Sequence, residues 1–219
     1  MLNERNLKDL LYQEFARIGK SLSSPKRLEI LDLLSQGPKS VDALAKNTAM
    51  SVANVSQHLK TLFNSRLVKF KKDGNYVIYE LADEVISDFL NSLHALSEKQ
   101  LMQVQHIKEE FLNNQLGLEG ITLSELKDRM DKGEVLLLDV RPKEEYEKSH
   151  IPGAVNIPIE ELDDKLSSLP ANFDVVAYCR GPYCLMSAEA VEILKAKGIN
   201  AFRLENGVRE WQQLKKIIH

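Results

Sequence analysis

The spacing of apolar residues changes character near residue 120, and no single fold class accommodates both sides of that change. Before it, Leu7, Leu10, Leu11, Phe15 and Ile18 recur at helical intervals. Ser24-Pro25 then reads as an N-cap followed by proline at the first helical position. The helix it opens runs through Leu28, Ile30, Leu31, Leu33 and Leu34 to Gly37-Pro38. A short helix is predicted from Val41 to Asn47 and another from Val52 to Ser65, capped by Ser51, with Val55, Leu59, Leu62 and Phe63 on its buried face. Residues 67–81, LVKFKKDGNYVIYEL, read as two strands around Asp73-Gly74. Helical spacing then returns from Asp83 to about Leu116 through Phe89, Leu93, Leu96, Leu101, Val104, Ile107 and Phe111. One helix of that length spans about 50 Å, too long for a small domain to cover, so it is expected to pack on a second subunit.

After a short linker at residues 117–120 the pattern is α/β. Thr122 with Glu125 forms a capping box. Val135 to Val140 and Val175 to Tyr178 are continuous apolar runs of the kind a parallel sheet buries on both faces. Helical sequence follows from about Cys184 to Lys197, then a strand from Ile199 to Leu204 and a helix from Val208 to Ile218. The expected division is residues 1–116, a linker at 117–120, and residues 121–219.

Composition narrows the class. The chain of 219 residues is 43% hydrophobic, which excludes a disordered or low-complexity protein. No run approaches the roughly 18 apolar residues of a membrane helix, and MLNERNLKDL lacks a signal-peptide core, so no membrane partner is expected. Two cysteines, Cys179 and Cys184, point to a reducing compartment, and the cytoplasm is the expected location. The net charge of −3 hides an asymmetry: residues 1–80 hold 13 Lys and Arg against 8 Asp and Glu, and the rest hold 16 against 24. A basic front end suits a polyanion partner.

Three helices, a turn, a fourth helix and a hairpin follow the order of a winged helix-turn-helix, whose last helix enters the major groove of DNA. That helix offers Asn54, Ser56, Gln57 and Lys60, and the wing offers Lys69, Lys71, Lys72 and Asn75, suited to base edges and phosphates. A merely solvated helix face has the same composition. The wording of SVANVSQHLKTLFNSRLVKFKKDGNYVIYEL, with SVDALAKNTAM before it, resembles the ArsR/SmtB family of bacterial repressors over residues 5 to about 112. The resemblance implies that Ser56, Gln57, His58 and Lys60 face a double-stranded operator, and that residues 5–20 and 83–116 form a homodimer. Relatives often bind metal ions, but residues 40–50 hold no Cys or His. On the last helix Ser92 stands where an Asp would be expected, and His94 and His106 are about 120° apart around a continuous helix, leaving Glu109 without a matching set. No metal and no other cofactor is expected.

Cys179 lies between a strand and a helix that starts near Cys184, where backbone N–H groups, the helix dipole and Arg180 favour a thiolate. The alternative is an inert buried cysteine. The loop Cys179-Arg180-Gly181-Pro182-Tyr183-Cys184 has few core-forming residues, which favours a reactive thiol. LLLDVRPKEEYEKSHIPGAVNIPIEEL, VVAYCRGPYC and LENGVREWQ resemble a single rhodanese domain over residues 120–216. The resemblance implies that Cys179 accepts a sulfane sulfur as a persulfide cradled by Arg180, Gly181 and Tyr183 of the loop, with Asp139, Arg141 and His150 supporting the fold. Where such loops commonly end in Arg then Ser or Thr, this one has Cys184 and Leu185, which puts thiosulfate turnover in doubt and makes Cys184 either a resolving thiol or a small apolar residue.

The expected protein is therefore a two-domain, DNA-binding regulator, a repressor by family habit. Its α/β domain, with a mostly parallel sheet, would sense or carry reactive sulfur from a small donor or thiol. The alternatives are a sulfurtransferase that uses its front half for dimerisation or tethering to DNA, and a metalloid or oxyanion responder with the two thiols as soft ligands.

Overall fold

In a computed structural model, residues 4–110, 120–166 and 173–218 are described. The chain divides into two compact units, Met1–Lys99 and Gln100–His219.

The first unit begins with α1 (Glu4–Leu22) and α2 (Pro25–Ser35). Ser24 has the extended backbone of an N-cap, but its side chain makes no capping bond, and Pro25 alone marks the start. Next come β1 (Lys39–Ser40), α3 (Val41–Thr48) and α4 (Val52–Asn64). Ser40 and Ser51 cap the two helices by accepting from Ala43 N and Asn54 N at 3.1 and 3.3 Å. The turn between them pivots on Ala49 in the left-handed region, φ 52°. β2 (Val68–Asp73) and β3 (Tyr76–Leu81) form the hairpin in the register Asp73↔Tyr76, with Gly74 at φ 57° in its turn. β1, two residues long and without a period to read, adds to the far edge of β3. α5 (Glu84–Gln100) closes the unit over a core of Ile30, Leu31, Leu34, Leu44, Val55, Leu59, Leu62 and Leu90.

The single helix expected from Asp83 to Leu116 is interrupted. Leu101 is extended, φ −110° and ψ 99°, and a separate helix, α6 (Met102–Glu109), follows it. No glycine or proline marks the break, and apolar spacing continues on both sides, so the periodicity conceals it. Residues 111–119 lie outside the described part, and with them most of the expected linker; its last residue, Gly120, begins a strand.

The second unit continues with β4 (Gly120–Ile121), α7 (Leu123–Asp131), β5 (Val135–Asp139), α8 (Lys143–Lys148), β6 (Val155–Asn156) and α9 (Leu162–Lys165). β7 (Asp174–Tyr178), α10 (Met186–Ala196), β8 (Ala201–Leu204) and α11 (Val208–Ile218) complete it. The five strands run in the order β4-β8-β7-β5-β6, and every pairing is parallel. Both faces are covered, which explains the unbroken apolar runs. On one face Leu138, Val175, Ala177 and Cys179 pack with Ala188, Val191 and Leu194 of α10. On the other, Leu137, Val176 and Tyr178 pack with Leu123 and Leu126 of α7 and Val208 of α11. The cysteine loop leaves the carboxyl end of the central strand β7, where open parallel sheets place their ligands.

Candidate functional site

In the first unit α4 exposes Asn54, Ser56, Gln57 and Lys60, while His58 is half-buried. Gln57 and Lys60 lie near one another on the helix face, at i and i+3. The Ser56 hydroxyl already donates to Val52 O at 2.8 Å. On the wing, Lys69, Lys71, Lys72 and Asn75 are all exposed, but the pleat divides the lysines. Lys72 shares the face of Phe70, which packs on Phe63 of α4 at 5.3 Å between ring centres and on Tyr79 at 5.4 Å. Lys69 and Lys71 stand on the opposite face, with Lys69 Nζ 3.7 Å from Glu80. His94 and His106 fall on separate helices, α5 and α6, so an angle around one continuous helix does not relate them.

In the second unit the loop after β7 is clasped from two sides. Arg180 forms a forked ion pair with Glu145 of α8, its Nε 3.1 and 3.0 Å from the two carboxylate oxygens and its Nη2 2.8 Å from Oε1. Opposite, a Cβ at Gly207 would lie 2.6 Å from Arg180 O and 2.8 Å from Gly181 N. Only glycine permits that approach, and Gly207 N is held in turn by Glu210 Oε2 at 2.7 Å. Within the loop Cys184 N donates to Gly181 O at 3.1 Å. Tyr183 and Leu185 point outward, 45% and 50% exposed.

The loop holds the two cysteines together, and their thiols are shifted in opposite directions. Cys179 is 1% exposed. Its Sγ lies 3.4 Å from Cys184 O and 3.1 Å from Ser187 Oγ. Burial pushes its thiol well up, and the neighbouring Cys184 sulfur pushes it further. Cys184 goes the other way, to about 6: it accepts a hydrogen bond from Cys179 and, against its own desolvation, further bonds from the Arg180 and Met186 amides. The helix-start and loop amides do favour a thiolate, as the sequence suggests, but they gather on the second sulfur. The two thiols therefore titrate as a pair, with Cys179 closed to solvent and Cys184 on the side of the amides.

Asp139 and Arg141 are fully buried beside this site. Arg141 Nη2 lies 2.7 Å from Asp139 Oδ2 and 2.7 Å from Ser149 O, which ties β5 to the turn before His150. His150 is exposed and stacked on Tyr146, with Nδ1 2.9 Å from Tyr146 O.

Residues 24–69 match the arsR family of bacterial regulatory proteins, and residues 122–214 match the rhodanese-like domain. HTH-type transcriptional regulator Rv0324 of Mycobacterium tuberculosis is 39% identical over 212 residues, which cover 97% of this chain and 93% of that protein. The chain belongs to the arsR family of transcriptional regulators. Its two halves also have separate relatives. The arsenical resistance operon repressor of Staphylococcus aureus is 37% identical over 86 residues, 39% of this regulator and 83% of the repressor. The human thiosulfate:glutathione sulfurtransferase is 32% identical over 108 residues, 43% of this regulator and 94% of that enzyme.

Four residues of the regulator's cysteine site escaped the sequence reading as parts of it. Ser187 lies beyond the loop, yet the first turn of α10 returns it to Cys179. Glu145 is 35 positions away and looks like one acid among several on an exposed helix. Gly207 carries its meaning only through the loop that passes over it. Arg203, 4% exposed on β8, stands in an otherwise apolar strand, and that oddity is the one signal available before the structure. Among the described residues of the regulator, no helix is long and apolar enough to cross a membrane.

Proposed function

We propose that this regulator reads reactive sulfur through the Cys179–Cys184 pair and releases or binds its operator accordingly. The observation that carries the reading is the pair itself: a buried Cys179, its Sγ 3.4 Å from Cys184 O and 3.1 Å from Ser187 Oγ, beside a second cysteine whose thiol is shifted down, in a loop clasped on two sides at Arg180 and Gly181. Cys184 takes the Cys179 proton as Cys179 attacks the outer sulfur of a small persulfide donor. The donor's S–S bond breaks, its thiolate leaves, and Cys179 becomes a persulfide. Cys184 passes that proton to the departing donor thiolate and then attacks the Cys179 Sγ, a disulfide forms between them, and the outer sulfur leaves as hydrosulfide. The sulfane donor is the oxidant and each cysteine loses one electron, so the atoms and charges balance.

The reading head is the exposed face of α4 with the wing: Asn54, Ser56, Gln57, His58 and Lys60, then Lys69, Lys71, Lys72 and Asn75. A homodimer suits the apolar surface left open, with Leu7, Leu10, Leu11, Tyr12 and Phe15 exposed on α1 and Val85, Phe89 and Leu96 exposed on α5. The test is intact mass and peptide mapping of the reduced protein before and after a persulfide donor, paired with operator binding. A gain of one sulfur on Cys179, or loss of two hydrogens with a Cys179–Cys184 cross-link, each with altered DNA affinity, is the expected result. Cys179→Ser is expected to bind DNA normally and ignore the donor; a variant that still responds overturns the reading.

A second reading is a sulfurtransferase tethered to DNA, favoured by the likeness of the second unit to a thiosulfate:glutathione sulfurtransferase. Sustained turnover of thiosulfate, with no change in operator affinity, distinguishes it.

A further inference from the structure

β8 lies beside β7 with Arg203 opposite Ala177. Side chains two apart on a strand share a face, so Arg203 stands on the face that carries Ala177 and Cys179 against α10. The surroundings there are Val175, Ala188, Val191 and Ala201, all buried and apolar. Arg203 is 4% exposed, and its Nη1 has no hydrogen-bond partner among the described residues. Two other buried arginines of this unit each close on a carboxylate, Arg141 on Asp139 and Arg180 on Glu145. A guanidinium keeps its charge even when buried, and an unpaired one is costly to hold in an apolar layer. The acidic groups near enough to act on it are Cys179, Glu205 and Cys184, and Glu205 is exposed.

We propose that Arg203 is the buried counter-cation of the cysteine pair, and that its open Nη1 donor takes the anion that forms on Cys179, first the thiolate and then the persulfide. The proposal builds on the reading of Cys179 as a sulfur acceptor. It supplies what the resting arrangement lacks. Cys184 has the Arg180 and Met186 amides for its charge, and Cys179 has the hydroxyl and amide of Ser187, all from the loop and the start of α10, so a donor from the sheet side would complete the cradle of a negative Cys179. The titratable and charged groups around Cys179 and its loop are then Cys184, Arg180 with its partner Glu145, Arg203, Glu205, and Arg209 and Glu210 of α11, which face Gly181. Arg203 brings an unused donor on the face of the sheet that carries Cys179. Arg203 is a positioning residue for charge, and it touches no donor molecule.

The test uses the full chain with Cys184→Ala, which leaves Cys179 as its one thiol, alone and combined with Arg203→Met, Arg203→Gln or Arg203→Lys. Ultraviolet thiolate absorbance against pH gives the Cys179 midpoint. Reaction with iodoacetate, an anion, and with neutral iodoacetamide gives a ratio of rates from which loop opening cancels. Arg203→Met and Arg203→Gln are expected to raise the midpoint by about one pH unit or more and to lower the ratio about tenfold. Arg203→Lys is expected to keep both near the parent. A structural arginine would instead lose stability on replacement without moving either readout, and unchanged midpoint and ratio in the folded Met or Gln variant overturn the proposal. Should both variants fail to fold, the parent decides: its ratio must exceed that of the same chain unfolded in denaturant, and equality overturns the proposal. No sulfur donor enters these measurements. A shifted midpoint with no sulfur gained on Cys179 from any donor would therefore sink the sulfur reading and leave the counter-cation standing.

Discussion

Arg180 and Glu145 meet as a fork, with three N–H···O contacts between 2.8 and 3.1 Å and side-chain exposures of 11% and 3%. The pair joins the residue after Cys179 to α8, which carries no sulfur chemistry of its own. Glu145→Ala leaves the guanidinium in the same buried place without its partner, the costly way to break such a pair. The second unit is expected to lose about 3–5 kcal/mol. Trp211, the only tryptophan of the chain, lies in that unit, so its fluorescence in a denaturant titration reports the loss. The same variant is expected to expose Cys179 to alkylation.

Gly207→Ala tests the other side of the clasp. The added methyl would meet backbone, Arg180 O and C at 2.6 and 2.7 Å, and backbone cannot swing aside as a flexible side chain can. The loop or the start of α11 must shift, at a cost of about 1–3 kcal/mol. The expected outcome is a lowered thermal midpoint for the second unit and a blunted response to a persulfide donor, with operator affinity of the reduced protein unchanged. A variant as stable as the parent would show that the loop is held by Glu145 alone.

These two contacts mark where reading the sequence stops. Caps, hairpin and strand runs were legible because each depends on neighbours within four positions: Ser51 to Asn54, Thr122 to Glu125, Asp73 to Tyr76. Both families were legible for the same reason, in contiguous wording around α4 and around Cys179. The break at Leu101 was not, since apolar spacing survives one extended residue. Which sulfur the loop's amides serve is not legible either, because spacing does not say where they point, and the depth of Cys179 depends on how α10 packs on β7. Glu145, Ser187 and Arg203 join the site through tertiary packing, which spacing does not encode.

The thiol pair sets a pH dependence. The folded Cys184 thiol ionises near about 6 against an ordinary 9.0, so its contribution to stability is fully present above 9.0 and is lost as pH falls through about 6. Cys179 is raised, so its contribution is present below 9.0 and fades as pH climbs through its folded value. Stability of the second unit is expected to rise between about pH 6 and 9 and to fall above that, relative to a chain carrying Cys179→Ala and Cys184→Ala. Denaturant midpoints followed by Trp211 fluorescence at a series of pH values check it. A single-variant control adds a direction: Cys179→Ala removes the hydrogen bond that lowers Cys184 most, so the Cys184 alkylation profile should move to higher pH.

The winged helix yields a prediction in which three residues of one surface behave differently. Gln57 is exposed on α4, and among the described residues no hydrogen bond ties its side chain down, so its amide is free to meet a base edge, whereas the Ser56 hydroxyl is already given to Val52 O. Gln57→Ala is expected to cost about 1–3 kcal/mol on an operator recovered by selection from random duplexes, and much less on unselected DNA. Ser56→Ala is expected to cost less than Gln57→Ala on the same duplex. Lys71→Ala removes an exposed wing charge expected to meet phosphate, so it should weaken operator and unselected DNA alike and reduce the slope of log affinity against log salt by about 0.9. Fluorescence anisotropy across a salt series separates the three. Equal losses on both kinds of DNA for Gln57→Ala would mean that α4 touches the backbone and that the sequence is read elsewhere.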